Sequence, residues 1–335
     1  MASEFPIGCT YNFLQPGADI APLERFRRVR DTGAFDYLHW LPPAEILSDC
    51  VAASEKTDLP MLTGNVIHRL GINDERLTGC MDDAARAGLK LVNVMLNTCA
   101  ANGHELTDDE IVSTYLRMAE AGDRAGVALA FELHVDCWSE KYKRVTPVIR
   151  QVRAAGAPFG LTVDYSHVVF KIDNPDQLEI SDVREDVEQG RIVLDPFDDD
   201  CLLAEWLSLD AVSFAQFRPA VPDNPRNIWG KNPDGSTPRG IMYPFERPGP
   251  GEWHTRWEAW RLEVCKEAFR RILRYHLTQA ESPLRFAITE MIGTSDYGMG
   301  AGFSLLEQNA ACARWIREER ARLAAMHKSG IPLSH

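Results

Sequence analysis

The sequence has no uninterrupted apolar stretch of the roughly 18–20 residues that a membrane-spanning helix requires. Its first residues, MASEFPIG, contain neither the basic segment nor the apolar segment of a secretory signal. Basic residues are also in the minority, because 36 Lys and Arg face 49 Asp and Glu, which gives a formal net charge of −13. A protein that binds nucleic acid must neutralise phosphates with cations, so this balance argues against nucleic acid and against an anionic membrane surface. We expect a cytoplasmic protein that acts on a small molecule.

The sequence also lacks two kinds of short motif. None of the eight cysteines, at positions 9, 50, 80, 99, 137, 201, 265 and 312, belongs to a CxxC pair. We therefore expect reduced thiols and no structural zinc site. The signatures GxGxxG and GxxxxGK[ST] do not follow the first predicted strand. Because such loops hold the phosphates of nucleotides, their absence predicts that no nucleotide cofactor is used.

What the sequence does contain is a regular alternation of short apolar runs with segments of helical periodicity. The predicted strands are residues 7–13, 35–40, 60–66, 89–96, 127–134, 159–166, 211–217 and 284–291. The helical segments are 22–30, 44–55, 74–87, 108–125, 140–155, a broken region 175–209, 255–279 and 304–326. Nearly continuous apolar strands are typical of parallel sheets covered on both faces. The pattern predicts one (β/α)8 TIM barrel over residues 1–335, with a doubly wound open sheet as the alternative.

One long connection interrupts the alternation. Residues 219–254, called here the insertion, follow the seventh predicted strand, are rich in Pro and Gly and contain Trp229 and Trp253. A connection of this length inside a compact domain is usually functional or disordered. Its aromatic residues favour order, so we predict an inserted lid within the barrel domain.

Polar side chains lie at the carboxyl ends of the fifth and sixth predicted strands. In a barrel, the active site lies at this end of the strands. Glu132 and His134 are two residues apart on the fifth strand, so they share one face. Asp164 ends the sixth apolar run, and His167 follows three residues later. For each residue alone, a salt bridge or a hydrogen-bonded histidine in a turn remains an alternative.

The seventh and eighth strands end in a similar way. Gln216 and Arg218 share one face of the seventh strand, and Glu290 ends the eighth. Gln216 is a candidate oxygen ligand, although a lone Gln is more often structural. Arg218 is a candidate clamp for a hydroxyl or a carboxylate.

Together these residues suggest a cation. Glu132, Asp164, Gln216 and Glu290 come from consecutive strands of a closed barrel and can converge on one point. Three carboxylates in an apolar site repel one another, and a divalent cation is the simplest way to neutralise them. Oxygen ligands favour Mg²⁺ or Mn²⁺ over Zn²⁺.

This order of strand ends resembles the xylose isomerase-like TIM-barrel superfamily over about residues 5–325. The shared pattern is Glu on strand five, Asp-x-x-His on strand six, His or Gln on strand seven and Glu on strand eight. The superfamily includes sugar isomerases, ketose 3-epimerases, inosose and 3-dehydroshikimate dehydratases, and endonuclease IV. The resemblance implies that Glu132, Asp164, Gln216 and Glu290 bind the metal and that His167 contacts the substrate.

The resemblance also implies removal of a proton next to the carbonyl of a keto-sugar, keto-glycoside or keto-cyclitol. Ketose 3-epimerases usually have His at the strand-seven position, whereas Gln216 looks more like the dehydratases. The Glu132-x-His134 pair is similar to members in which a histidine removes the α-proton. We therefore predict β-elimination with His134 as the base and His167 assisting. Isomerisation or 3-epimerisation by Glu132 and Glu290 is the alternative, and a non-catalytic sugar-binding barrel is a third possibility.

The insertion is similar in length to that of the large subunit of C-glycoside deglycosidases, which works with a small β-sandwich partner. We predict substrate contacts from Arg218, Trp229, Arg239 and Trp253. Barrels of this type are often oligomeric, so we expect an oligomer. If there is a small partner subunit, we expect it to contact the insertion. The glycine-rich loop 293–302 contains no Lys or Arg, which favours an unphosphorylated substrate.

Overall fold

Eight parallel strands form a closed barrel in the computed structural model, which describes residues 4–333. The strands are β1 (Ile7–Thr10), β2 (Tyr37–His39), β3 (Met61–His68), β4 (Leu91–Leu96), β5 (Ala128–Leu133), β6 (Leu161–Asp164), β7 (Val212–Phe217) and β8 (Phe286–Thr289). They pair in chain order, and β8 pairs with β1. The predicted (β/α)8 barrel is confirmed. Residues 1–3 and 334–335 of the predicted domain lie outside the described residues.

The helices cover the outside of the barrel. They are α1 (Pro22–Asp31), α2 (Leu47–Thr57), α3 (Asp74–Ala87), α4 (Asp108–Ala125), α5 (Val145–Ala154), α6 (Ser166–Val169), α7 (Pro175–Ile180), α8 (Arg184–Glu188), α9 (Leu202–Ser208), α10 (Glu263–Thr278) and α11 (Leu305–Lys328). Helix α4 begins with an acidic first turn and a capping threonine. The Thr107 hydroxyl accepts a hydrogen bond from Glu110 N, and the Glu110 carboxylate accepts one from Thr107 N, so each side chain satisfies the other residue's backbone amide.

The barrel interior is built in layers from the inward positions of the strands. An apolar cluster fills the lower layer with Tyr37, Leu91, Ala130, Phe214, Phe286 and Ile288. Side chains alternate along a strand, so the residue two positions after each of these points to the same side. Those positions include Asn93, Glu132, Gln216 and Glu290. The lower layer is thus the apolar floor of a polar upper layer.

Two predicted helices begin later than expected. The segment predicted at 140–155 contains two short 3₁₀ turns, and α5 starts at Val145. The ring of Pro147 would clash with the carbonyl of residue 143 in a longer helix. The segment predicted at 255–279 has a 3₁₀ turn before α10 begins at Glu263, because Tyr243 Oη binds the backbone of Arg256 and Glu258 instead.

The insertion contains neither helix nor strand, yet its backbone is bonded to its surroundings. Ile241 N donates to Asp296 O (2.8 Å), and Tyr243 N donates to Pro219 O (2.8 Å). All eight cysteines are free, and seven of them are buried. Among the described residues, no helix combines the length and the apolar character needed to cross a membrane.

Candidate active site

Four of the predicted side chains meet at the carboxyl end of the barrel. Glu132 lies on β5, Asp164 ends β6, Gln216 lies on β7 and Glu290 directly follows β8. One carboxylate oxygen from each of the three acids lies within 4.8 Å of the other two. The strand register explains why these side chains lie close together. Asp164 on β6 is paired with Gln216 on β7, and Glu290 N donates to the carbonyl of Phe217, the residue after Gln216 (3.1 Å).

An amide pair links the two glutamates. One terminal amide atom of Gln216 lies 2.9 Å from Glu290 Oε2 and 3.1 Å from Glu132 Oε1, and the other lies 3.1 Å from Asn93 Nδ2. Asn93, on β4, also donates to Glu132 Oε2. With its nitrogen toward the glutamates, Gln216 donates to both of them. With its oxygen toward them, it adds a fourth oxygen to the three carboxylates, an arrangement that only a cation would stabilise.

Arg218 places a positive charge inside this site. Its buried guanidinium lies 3.0 Å from Asp164 Oδ2 through Nη1 and forms an ion pair with Glu290 through Nη2. Arg218 therefore neutralises part of the charge of these acids, in addition to the cation that the sequence analysis predicts. Three carboxylates still face one guanidinium. We call Glu132, Asp164, Arg218 and Glu290 the Arg218 cluster.

The excess of acids shifts their titration. Burial, followed by the charges of Glu290 and Asp164, raises the pKa of Glu132 well above its ordinary value. Burial also raises the pKa of Glu290 to about 7, although Arg218 opposes the shift. The pKa of Asp164 is raised by burial and restrained by Arg218. A site with this excess negative charge is suited to bind a cation or to hold a proton.

The two predicted catalytic histidines lie together at the edge of this cluster. The rings of His134 and His167 are 4.3 Å apart between centroids. His134 Nδ1 lies 2.5 Å from Val135 O, so Nδ1 carries the proton and the lone pair is on Nε2. Burial, followed by the charge of Arg218, lowers the pKa of His134 to about 4, and burial lowers that of His167 well below its ordinary value. Both rings are therefore neutral at neutral pH.

His167 is tied to the Arg218 cluster. Its Nε2 lies 3.1 Å from Arg218 Nη1 and 3.6 Å from Asp164 Oδ2. Since Nε2 accepts from the guanidinium, the neutral ring carries its proton on Nδ1. That buried Nδ1 has no hydrogen-bond acceptor among residues 4–333.

Tyr297, which the sequence analysis missed, joins the histidine and the arginine. Its hydroxyl lies 3.3 Å from His134 Nε2, and its ring lies 4.2 Å from the guanidinium carbon of Arg218. The residue belongs to the glycine-rich loop after β8. A buried aromatic ring next to an arginine adds a favourable cation–π contact. The only signal in the sequence is a single aromatic residue among the four glycines of residues 293–302.

The donors fit a divalent cation. Glu132, Asp164 and Glu290 form one group of three acids, and Glu132, His134 and His167 form a second group with similar spacing. The first group, together with Gln216 when its amide oxygen faces the glutamates, offers only oxygen, which suits Mg²⁺ or Mn²⁺. The excess carboxylate charge that remains beside Arg218 is the feature that a cation would balance.

Arg239, predicted to bind substrate, pairs with side chains of the protein, and its predicted role in substrate binding stays a prediction. Its Nη2 lies 2.5 Å from Glu140 Oε1, and its Nε donates to Gln177 Oε1 (2.8 Å). Glu140 also pairs with Lys171 at 2.7 Å, and Lys171 donates to Ser181 Oγ (2.5 Å). We call Glu140, Lys171 and Arg239 the Lys171 cluster. It joins the insertion to the connections after β5 and β6.

The predicted tryptophans of the insertion pack against each other. The ring centroids of Trp229 and Trp253 are 6.2 Å apart, and His254 lies against both. Trp253 is buried, whereas Trp229 is 39% exposed and lies beside Gly300. A methyl group at Gly300 would sit 2.9 Å from Trp229 Cβ, so a glycine is required there. Their predicted role in substrate binding stays a prediction.

Asn93 is a second residue of the site that the sequence analysis did not identify. It lies in the run LVNVML on β4, where every residue is buried. A buried amide needs partners, so one polar residue in an apolar strand next to the predicted site was an available signal.

No family model matches the sequence, and no curated protein matches it. Solved structures do resemble it in fold. A 3-keto-D-glucoside 4-epimerase from E. coli is 13% identical, with 94% of this chain and 100% of that one covered and a TM-score of 0.52. A xylose isomerase-like TIM barrel protein from Mycobacterium smegmatis, in complex with magnesium, is 13% identical, with 96% and 98% covered and a TM-score of 0.54.

A probable 3-DHS dehydratase from Bacillus anthracis is 11% identical, with 93% of this chain and 98% of that one covered and a TM-score of 0.53. At such low identity these likenesses concern the fold. The chain therefore shares the closed (β/α)8 fold of these structures, which is the fold that the sequence analysis predicted.

Proposed function

We propose that this protein is a divalent-metal-dependent enzyme that removes a proton next to the carbonyl of a keto-sugar, keto-glycoside or keto-cyclitol. The observation that carries the proposal is the convergence of Glu132, Asp164 and Glu290 within 4.8 Å, with Arg218 as the charge that partly balances them. The epimerase and dehydratase activities named for proteins of the same fold agree with this class of substrate.

The metal ligands in this proposal are Glu132, Asp164, Gln216 and Glu290. A bound Mg²⁺ or Mn²⁺ would polarise the substrate carbonyl and so acidify the neighbouring C–H bond. Arg218 holds Asp164 and Glu290 through its two ion pairs, which fixes their orientation before any substrate arrives.

Proton removal falls to His134 in the reaction that we favour. Its tautomer leaves the lone pair on Nε2, and the low pKa of its ring keeps that lone pair unprotonated at neutral pH. His167, with a proton on an unbonded Nδ1, is placed to donate to the departing oxygen of a β-leaving group. Together they would perform an elimination.

Epimerisation is the second candidate, and one observation favours it. Gln216 bridges Glu132 and Glu290, and the pKa of Glu290 is raised to about 7, close to the value that a general base needs. The two glutamates would then exchange the proton on opposite faces of the substrate carbon.

One experiment separates the candidates. Metal-loaded enzyme is incubated in D₂O with ketoses, keto-cyclitols and 3-keto glycosides, and Glu290→Gln and chelator-treated enzyme serve as controls. A released product supports elimination, whereas deuterium at the α-carbon without loss of a leaving group supports epimerisation or isomerisation. A protein that binds the metal but exchanges no deuterium with any of these substrates would contradict the proposal.

A further inference from the structure

The insertion reaches the candidate active site through one buried amide. Asn227 is 1% exposed. Its Nδ2 donates to the backbone carbonyls of every second residue in one stretch of the loop after β8: Ser295 (3.1 Å), Tyr297 (3.0 Å) and Met299 (3.0 Å). Its Oδ1 accepts from Trp229 N (3.0 Å) and Gly230 N (3.2 Å). Every polar atom of this side chain is therefore used, and the amide ties the backbone of the insertion to that loop.

The same loop carries Tyr297 into contact with the two groups next to the reacting centre. Its hydroxyl lies 3.3 Å from His134 Nε2, and its ring lies 4.2 Å from the guanidinium carbon of Arg218. Tyr297 is buried, and its backbone carbonyl is one of the three that Asn227 holds. A shift of the loop would move the hydroxyl away from the His134 lone pair.

We propose that Asn227 and Tyr297 are positioning residues, through which the insertion fixes the orientation of the His134 ring. The insertion then supports the catalytic groups continuously and does not act only as a cover over bound substrate. The inference rests on the proposed function for its kinetic consequence, but the contact between Asn227, Tyr297 and His134 can be tested without substrate.

Matched variants are available within the insertion. Asn227→Asp keeps the oxygen that accepts from Trp229 N but turns a carboxylate oxygen toward three carbonyls. Asn224 is equally buried and bonds only to insertion residues, accepting from Val221 N (3.1 Å) and donating to Met242 O (3.2 Å). Asn224→Asp thus makes the same chemical change without touching the loop after β8.

The first measurement is the ¹⁵N NMR signal of the His134 ring in the metal-free protein, assigned by its loss in His134→Gln. Tyr297→Phe and Asn227→Asp are expected to shift this signal in the same direction, and Asn224→Asp is expected to leave it unchanged. If Asn227→Asp fails to fold, Asn227→Gln, which keeps the amide but displaces it, is measured instead. An unchanged signal in the folded Asn227 variant, or an equal shift in the Asn224 variant, would overturn the inference.

The second measurement uses whichever substrate shows activity. Tyr297→Phe and Asn227→Asp should each lower kcat by about tenfold to a hundredfold, because a displaced base loses its alignment, while KM changes by less than about threefold. The double variant should be no slower than Tyr297→Phe, since the two residues act through one contact. Losses that multiply would contradict the inference, whereas a shifted His134 signal in a protein without activity would contradict only the proposed function.

Discussion

Two buried ion clusters lie near the mouth of this barrel, and they have opposite electrostatic character. In the Lys171 cluster, two cations share Glu140, and their charges outweigh the cost of burial, so the pKa of Glu140 falls to about 2. In the Arg218 cluster, three acids share one guanidinium, and burial dominates, so the pKa of Glu290 rises to about 7. One cluster is satisfied by the protein itself, and the other retains negative charge.

The contrast distinguishes a structural cluster from the proposed functional one. A buried carboxylate that keeps its charge through its own cations contributes to folding and has nothing left to bind. A buried carboxylate whose pKa is raised favours a proton or an external cation. The sequence analysis did not distinguish these cases, because it assigned both Arg218 and Arg239 to substrate binding.

The largest expected effect is on catalysis, through Glu290→Gln. The substitution removes one acid of the Arg218 cluster and one proposed ligand, so kcat/KM should fall on the order of a thousandfold or more. Metal binding, measured by calorimetry, should weaken, while the circular dichroism spectrum stays that of the wild type. Unchanged activity in a folded protein would refute the assignment of this site.

The next effect is on stability, through Glu140→Gln. This change leaves Lys171 and Arg239 buried without their shared carboxylate, and breaking a buried pair costs about 3–5 kcal/mol. Denaturant titration should show that loss, whereas Glu290→Gln should cost far less in the metal-free protein. A matched control is Glu105→Gln, whose half-exposed ion pairs with Lys141 and Arg144 should contribute less than about 1 kcal/mol.

A smaller effect is expected from the metal itself. Mn²⁺ or Mg²⁺ at a hundred times its Kd should stabilise the wild type by about 2.7 kcal/mol. Thermal denaturation should show a raised Tm for the wild type and for a folded Glu140→Gln variant, since the Lys171 cluster is not the metal site. Equal stabilisation of Glu290→Gln would place the cation elsewhere.

The smallest effect is a pH dependence of stability in the presence of chelator. The folded pKa of Glu290, about 7, lies above its ordinary value of 4.5, so between these pH values the unfolded chain loses the proton that the folded protein keeps. The contribution of Glu290 to stability is therefore full below pH 4.5 and falls as the pH rises toward 7. Subtracting the pH profile of Glu290→Gln removes the opposite contributions of His134 and other groups.

Glu140 should behave in the reverse sense. Its lowered pKa gives stability that is present above the ordinary value of 4.5 and is lost as the pH falls toward 2. Comparing wild type with Glu140→Gln between pH 2 and 5 isolates this contribution. Two difference profiles with the same slope would show that the clusters are not electrostatically distinct.

Much of the fold and the centre of the site could be predicted because they follow from repeated local rules. Buried parallel strands require apolar runs, and helices between them require an apolar face, so the eight units are visible in the sequence. Strand register then fixes where the ends of β5 to β8 lie, which brings Glu132, Asp164, Gln216 and Glu290 together.

The remaining parts depend on contacts between segments far apart in the chain. Arg239 turns toward Glu140, 99 residues earlier, and Tyr297 reaches His134 across 163 residues. Neither contact is set by periodicity or by a strand end. The orientation of a long side chain is decided by the partners it meets after folding, so the roles of Arg218 and Arg239 required the structure.

The placement of the polar upper layer affects how the sequence of this barrel can change in evolution. Asn93, Glu132, Asp164, Gln216 and Glu290 belong to five adjacent strands, β4 to β8, and so occupy one continuous arc of the circumference. The connections after β1 to β3 complete the rim and supply none of these five groups. Under the proposed function, substitutions along that second arc can change which molecule fits while these five groups stay fixed, so selectivity and reactivity are free to evolve separately.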